Sequence, residues 1–600
     1  MEENNSSRSA GSVTLPVILI AAVVQGWTFY WLHSAIEAAH WPATDPAWLV
    51  ALYCVALFLP LTAQLLSAHA RRGIQWTMLL AIAAGFGYFG SHYGGSVVAA
   101  GNCVTGMDCK SPWGYFPFAF VLTVLWLHLL PFLQVRLQTG RWAPPYDLLF
   151  SLAWRNVLML AEAAAFTALF WLLLFLWQQL FYMLGIAYFR ELFRQPLFIY
   201  PVTALAFGTA LHLIGSIERL TSVVLEQILG VLKWLGLMTA LLLAVFTFAL
   251  VIKLPGLVFL GKHAISATWL LWLVAIEVLL LNAAYRDGSV PQPYPRWIGL
   301  LLRLVVPLTV IVAITGLYAL IVRAAHYGLT VDRVWAFLVA GAALLYAVGY
   351  AIAALQRGAW LGLISRVNVA VAVVLIAAII ACLTPMLSPY RLAAESQYRM
   401  ALAHAHDDVG PQEMYRTPFE YLRFEAGRYG LDKLRKLAAL QDHPDAEAIR
   451  SAANAALAQQ TRWGPPRPQV SVEQLLAQLA VYPTGRSMEP ELAARVVEDL
   501  GKAGGSLPYP LKSLQESAGL YVDLDGDGVD EFAILARNGG TVYQRRDSRW
   551  TLIGTLYIQQ SAASWDPVRR DLEAGNFSAI LPHWKRLSIG GREFRLSLPE

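Results

Sequence analysis

Between residues 13 and 387 the chain repeats one feature about eleven times: a run of about twenty mostly apolar residues with few charges. Such a run, coiled as a helix rising 1.5 Å per residue, matches the roughly 30 Å hydrocarbon core of a bilayer. The runs lie near 13–33, 46–68, 74–93, 113–134, 154–186, 196–217, 232–253, 264–284, 297–322, 331–355 and 366–387. The fifth is too long for a simple crossing and reads as starting with an interfacial piece at Trp154. Leu220 to Lys233 is amphipathic and reads as a surface segment ahead of the seventh run. The first run is longer than a signal-peptide core and lacks a basic flank, so it reads as a membrane helix.

Charge divides the chain in the same place. Residues 1–388 hold 20 Lys and Arg and 13 Asp and Glu, whereas the remaining 212 residues hold 25 and 27. Only the second density suits a water-soluble domain. The expected fold class is therefore an all-α polytopic membrane bundle of about eleven transmembrane helices with a C-terminal soluble α+β domain. The divisions expected are a tail at 1–12, the transmembrane domain at 13–388, a helical soluble segment at 389–463 and an α+β domain at 464–600. The net charge of +5 reflects membrane loops. No basic stripe with interleaved aromatics appears, so the bilayer, and not nucleic acid, is the expected partner.

Orientation follows from Lys and Arg in short loops. With a cytoplasmic N-terminus the inside loops carry twelve (Arg8, Arg71, Arg72, Arg136, Arg141, Arg155, Arg219, Lys233, Arg286, Arg296, Arg357, Arg366). The outside loops carry seven (Lys110, Arg190, Arg194, Lys253, Lys262, Arg323, Arg333). Eleven crossings then place the C-terminal domain outside, which in a Gram-negative bacterium is the periplasm. Cys103 and Cys109 fall in an outside loop and form a candidate disulfide. Cys54 and Cys382 lie within apolar runs as packing residues. Tryptophans near the run ends (Trp27, Trp31, Trp41, Trp48, Trp142, Trp154, Trp297, Trp335) read as an interfacial belt.

Ionisable residues inside membrane runs are costly and are the first places to look for function. Here they are Glu162, Glu277, His128 and His212. Glu162 and Glu277 suit either an ion path or a hydrogen bond between helices, and one Glu per run favours the hydrogen bond. Arg323 and Arg333 flank the turn at Gly328, where Thr330 can cap the next helix and Asp332 sits at its N-terminal dipole. Both arginines suit a lipid phosphate, a carboxylate of the soluble domain, or simple snorkelling.

Three segments carry a family likeness: Trp154-Arg-Asn with Leu172–Trp177, Leu281–Gly288, and above all Val322–Trp335, followed by Tyr346-Ala-Val-Gly-Tyr350. Over residues 150–390 the chain resembles a family of bacterial inner-membrane proteins known only as a domain of unknown function. The resemblance implies a multi-span inner-membrane protein and no particular reaction.

Beyond Pro389 the pattern becomes that of short amphipathic helices at 390–405, 418–429, 431–440 and 445–459, with Gly430 as the expected break between the second and third. Gly464-Pro-Pro-Arg-Pro468 reads as a stiff linker. Ser471 with Gln474 forms a capping box, and a further helix starts near Glu489. The period then changes to two at 520–523, 532–537, 541–546 and 550–557, and 592–598 reads as a last strand.

Between the first two strands stands Asp523-Leu-Asp-Gly-Asp-Gly-Val-Asp-Glu531. Acids at positions one, three and five, a glycine at six, a carbonyl at seven (Val529) and an acid at nine (Glu531) wrap hard oxygens around a cation. Position twelve is Ile534, so the loop is not an EF-hand. It is similar to the calcium loops of integrin-type β-propeller repeats, though only one copy is present. The expected ligands are Asp523, Asp525, Asp527, Val529 and Glu531, and the expected cofactor is structural calcium.

No phosphate-binding loop, dinucleotide fingerprint, nucleophile elbow, metalloprotease helix or Cys-x-x-Cys occurs, so the expectation leans away from an enzyme. The first expectation is an envelope assembly or sensor protein whose outer domain meets another envelope protein. The alternative is a transporter or lipid-handling permease, and the second alternative is an integral membrane transferase. A sealed bundle favours the first and a cavity reaching Glu277 the second. An outer-face pocket lined by acids and bases favours the third.

Overall fold

The computed structural model describes residues 2–67, 73–98, 115–142, 144–216, 218–260, 266–286, 288, 294–356, 362–403, 417–459, 471–501, 517–536, 539–546, 549–557, 566–578, 587–589 and 592–594. The chain divides into two compact units, Met1–Gln460 and Thr461–Glu600. Cys103, Cys109, Arg71, Arg72 and the proline-rich linker lie outside the described residues.

Among its described residues the first unit is helices joined by turns. Its N-terminal lobe contains α1 (Glu2–Glu37), α2 (Pro46–Leu65), α3 (Gly73–Ser96), α4 (Phe116–Thr139), α5 (Tyr146–Met183), the short α6 (Tyr188–Leu192) and α7 (Pro196–Ser216). The second lobe contains α8 (Glu218–Leu260), α9 (Ala267–Tyr285), α10 (Arg296–Val305), α11 (Leu308–Tyr327) and α12 (Val331–Leu355). A final long helix, α13 (Ile364–Leu383), touches α3, α4 and α5 on one side and α12 on the other, and so bridges the lobes.

Among the described residues, ten helical stretches are long and apolar enough to cross a membrane. They correspond to ten of the eleven runs, with α10 and α11 counting as one stretch interrupted at Pro307. The eleventh, α3, is 24 residues long, but its glycines, Gln75 and His92 lower its hydropathy. Those glycines have a packing reason. A Cβ at Gly94 would lie 2.2 Å from the Pro46 carbonyl oxygen, and one at Gly90 would lie 2.8 Å from Ala51 Cα. Small residues are what let two membrane helices approach this closely.

The outward faces confirm the solvent. Leu169, Leu172, Leu173 and Leu176 on α5, and Leu241, Leu242, Val245 and Phe248 on α8, are all exposed. Contiguous apolar surface on this scale suits lipid and not water. This is a multi-pass membrane protein. Two boundaries differ from expectation. The long fifth helix starts at Tyr146 because Pro145 sits just before it, and the amphipathic segment at 220–233 is the first part of α8 with no break.

Four short helices follow the last span: α14 (Pro389–Ala403), α15 (Pro418–Phe424), α16 (Gly427–Ala438) and α17 (Ala446–Ala458). They share a small core of Leu422, Leu434, Leu437, Ile449 and Ala453 and form a cap on the bundle. Gly430 does not separate two helices. It lies inside α16, where a Cβ would meet the Leu422 carbonyl oxygen at 2.2 Å, and the break falls at Glu425–Ala426. The cap sits at the end of the bundle where α2 begins and α3 ends, because Gly427 packs on the Ser96 carbonyl and Gly94 on Pro46. The N-terminal part of α1 lies at the opposite end, with Ile18, Ala22 and Gln64 gathered around Gly208.

The second unit is α+β. Its helices are α18 (Val472–Gln478), which carries the full Ser471–Gln474 capping box, α19 (Pro490–Gly501) and α20 (Asp566–Glu573). Five strands, β1 (Ala480–Tyr482), β2 (Ser517–Val522), β3 (Glu531–Ala536), β4 (Gly539–Arg546) and β5 (Arg549–Tyr557), pair in chain order, the first pair parallel and the rest antiparallel. Alternation along the strands builds two cores. Phe532, Ile534 and Tyr543 meet Leu475, Leu492 and Val496 on one face, while Ala533, Val542 and Leu520 meet Leu572 on the other. A separate hairpin joins β6 (Leu587–Ile589) and β7 (Arg592–Phe594). The strand β1 is too short to show a period, and sequence patterning gave no sign of it.

Candidate functional site: a cleft between the lobes and an acidic hairpin

A cavity of about 600 Å³ lies in the first unit. Its volume falls within the range of sites for small molecules and cofactors. One wall comes from α3 and α4 and the other from α9 and α12, with α13 adding Leu375, Ile379 and Leu383. On α12 the lining residues are Val331, Asp332, Trp335, Leu338, Val339, Ala342, Ala343 and Tyr346, which form one helical face. Asp332 and Tyr346 are fourteen residues apart, about 21 Å of helix. The cavity exists because Ala342 and Ala343, with Ala275 on α9, fill little of the space between the lobes. Phe120, Leu279 and Val339, which also line it, are largely exposed and leave it open at the side.

Polar groups are confined to the two ends. At the capped end stand His92, Ser96, Asp332, Ser388 and Tyr390. His92 Nε2 is 3.3 Å from the Tyr429 hydroxyl of α16. Tyr93 stacks on Phe118 with ring centroids 4.0 Å apart. Burial, with Tyr93, Tyr421 and Asp332 nearby, pushes the Tyr390 phenol well above its ordinary range, so it is a neutral donor. At the inner end, Asn282 and Tyr346 close the cavity. Asn282 Oδ1 accepts from Asn368 Nδ2 at 2.6 Å, and the same nitrogen donates to the Tyr146 hydroxyl at 2.9 Å. The Tyr350 hydroxyl donates to Asn368 Oδ1 at 2.6 Å. This network ties α5, α9, α12 and α13 together.

The polar residues singled out from sequence go to several places. Glu277 is fully buried and faces away from the cavity, and its Oε2 accepts from the Thr239 hydroxyl of α8 at 2.8 Å. Glu162 is half-buried on α5, with Oε2 unpartnered. His128 Nδ1 bonds the Val124 carbonyl one turn back, and His212 lines a smaller pocket. Arg333 donates to the carbonyls of Gly328 at 2.7 Å and Tyr327 at 3.2 Å, and so holds the turn together, while Arg323 is exposed. Thr330 caps α12 as expected. Trp335 also lines the cleft. The cleft itself escaped sequence reasoning, since the lining face of α12 is as apolar as its lipid-facing side.

In the second unit the aspartate loop joins β2 to β3. Gly526 and Gly528 have φ values of +81° and +85°, which glycine alone adopts without strain. These turns bring carboxylate oxygens of Asp523, Asp525 and Glu531 within 4.8 Å of one another, and the cluster can hold a metal ion. Asp527 is not part of this cluster, and its Oδ1 accepts from the Val529 N–H at 2.7 Å. Asp523 accepts from Gly526 and Gly528, and Glu531, 2% exposed, accepts from Leu524. Gln544 Nε2 on β4 bonds both Asp525 and Glu531, at 2.8 and 3.1 Å. Its Oε1 accepts from Arg546 Nε at 2.8 Å, which fixes the amide with its N–H groups toward the carboxylates. Three carboxylates gathered this closely suit a hard cation. Asp530 pairs instead with Arg486 at 2.5 Å. No protein-family model, curated protein or solved structure matches this chain.

Proposed function

We propose that this membrane protein binds an amphiphile, a lipid or lipid-linked molecule, in the cleft between its lobes. Hydrocarbon lies along α12, and the polar head meets His92, Asp332 and Tyr390. One observation carries the reading: a laterally open cavity of about 600 Å³, apolar along its length and polar only at its ends. A sealed bundle, as an assembly or sensor role predicts, leaves no such space, and an ion path through Glu277 needs a cavity that reaches it. Engagement of His92 by Tyr429 favours binding over group transfer.

Native mass spectrometry of the full chain from mild detergent tests this. The wild type retains a lipid of defined mass, and Ala342→Trp, which fills the cleft, releases it. Equal retention by both would end the proposal.

The same reading places the protein in a bacterial inner membrane, N-terminus cytoplasmic and C-terminal domain periplasmic, where that domain can meet an envelope partner. The twelve-to-seven bias of basic loop residues supports it, as does the cap lying opposite the start of α1. Kinship with the inner-membrane family of unknown function belongs to this proposal too. In the second unit, calcium held by Asp523, Asp525 and Glu531 would fix the β2–β3 turn, a structural role.

A further inference from the structure

The cleft has a definite bore. Its stripe on α12 runs from Asp332 to Tyr346, about 21 Å of helix. A volume of about 600 Å³ spread along about 21 Å leaves a mean cross-section of about 29 Å², a slot about 6 Å across. Non-bonded carbon atoms sit about 3.5–4.0 Å apart, so such a slot holds one zigzag hydrocarbon chain and not two abreast. The slot is straight, because its lining residues on α12 recur every three or four positions and so follow the helix axis.

The inner end is a firm stop. Tyr346 packs edge-to-face on Tyr350, with ring centroids 5.8 Å apart and planes at 72°. Tyr350 is 1% exposed, and its hydroxyl is held by Asn368, which in turn binds Asn282 and Tyr146. Asn282 donates its own N–H to the Val278 carbonyl at 3.0 Å. Both amides are therefore bonded at oxygen and at nitrogen, and neither needs a polar group from a ligand. Such a floor suits the methyl end of a chain. One turn and more beyond it, Ala353, Ala354 and Ile364 are buried core.

We infer that the cleft takes a single extended hydrocarbon chain and that Tyr346 limits its length. The inference rests on the amphiphile reading above and names the ligand class. An extended chain with bonds of about 1.52 Å at about 111° advances roughly 1.25 Å per carbon. The slot therefore matches a straight acyl chain of about sixteen or seventeen carbons. That chain belongs to a single-chain amphiphile, or to a diacyl lipid whose second chain stays in the bilayer beside the exposed Leu279 and Val339.

Competitive retention tests this, read by native mass spectrometry of the full chain in a sterol-based detergent that brings no alkyl chain of its own. Lysophosphatidylcholines with saturated chains of about fourteen to about twenty-two carbons are offered in equimolar mixture. All of them reside in the micelle, so the comparison reports the cleft and not their aversion to water. Wild type retains one lysolipid per protein, and retention falls about tenfold beyond about eighteen carbons, the penalty for overpacking. Tyr346→Leu moves the fall-off to longer chains, and Tyr346→Phe leaves it in place. Dipalmitoyl phosphatidylcholine, offered separately, distinguishes the sources: its retention shows a diacyl lipid with one chain outside, and its rejection shows a single-chain ligand. Uniform retention across the series overturns the inference, as does a fall-off that folded Tyr346→Leu does not move, or the loss of two lysolipids together in Ala342→Trp. Those results leave the amphiphile reading standing, whereas retention that Ala342→Trp does not reduce ends both. The wild-type length profile and the lysolipid count decide the matter without the Tyr346 variants.

Discussion

The backbone N–H of Val331 donates to the Tyr421 hydroxyl at 2.8 Å, across 90 residues of sequence. It fastens the first turn of α12, which forms one wall of the cleft, to α15 of the cap. Gln397 reinforces the joint by donating to the carbonyls of Tyr327 and Leu329, both at 3.0 Å. Tyr421→Phe strands a buried N–H and costs about 1–3 kcal/mol. The full-length protein in detergent should show a lower thermal midpoint, with lipid release at a lower temperature than in the wild type.

The glycines of α3 give a paired prediction. Gly94→Ala drives a methyl group into the Pro46 carbonyl and destabilises by about 1–3 kcal/mol or more. Gly85 lies on the same helix with nothing within 4 Å of its would-be Cβ. Gly85→Ala therefore stabilises by about 0.5–1 kcal/mol through helix propensity alone. Opposite shifts in thermal midpoint are the check, and shifts of the same sign would refute the packing argument.

The Thr239 hydroxyl donates to Glu277 and ties α8 to α9. A double-mutant cycle with Glu277→Gln and Thr239→Val should give a coupling of about 0.6–2 kcal/mol. Lipid retention should be unchanged in Glu277→Gln. Loss of retention at normal stability would return Glu277 to a functional role.

Calcium added in excess should stabilise the C-terminal unit by about 2.7 kcal/mol at a hundred times its dissociation constant. Chelator reverses the effect, and Asp523→Asn or Glu531→Gln abolishes it. Identical unfolding curves with calcium and chelator would rule the site out.

Lys433 holds Glu395 within the cap, and its hydrogen bond lowers the Glu395 carboxyl below the ordinary carboxylate range. A depressed carboxyl contributes stability at neutral pH and loses it as pH falls through the depressed value. Both side chains are partly exposed, so the effect is small and falls with salt. Lys433→Gln should remove this part of the acid sensitivity of the midpoint.

Much of the architecture was legible because the bilayer imposes a simple rule. A segment without internal polarity must be a helix of fixed length, so the spans could be read one by one. The aspartate loop was equally plain, since its glycines and acids sit at the spacing a tight turn requires. The capping box at Ser471 and the cap at Thr330 are local bonds within four residues and were read the same way. Gly430 misled because a glycine between helices and a glycine beneath a crossing helix look alike until Leu422 is in place.

The sequence by itself determined which segments span, where the polar domain begins, and which turn gathers carboxylates, because each depends on near neighbours and on the solvent. Tertiary structure alone decided the rest. It turned Glu277 away from the cleft, joined Asn282 to Asn368 and Tyr350, left Gln64 unpaired beside Gly208, and opened a space where Ala342 and Ala343 face α3 and α4. A helix apolar on all sides gives no sign of which face meets lipid and which meets another helix. That choice is made only when helices far apart in the chain pack together.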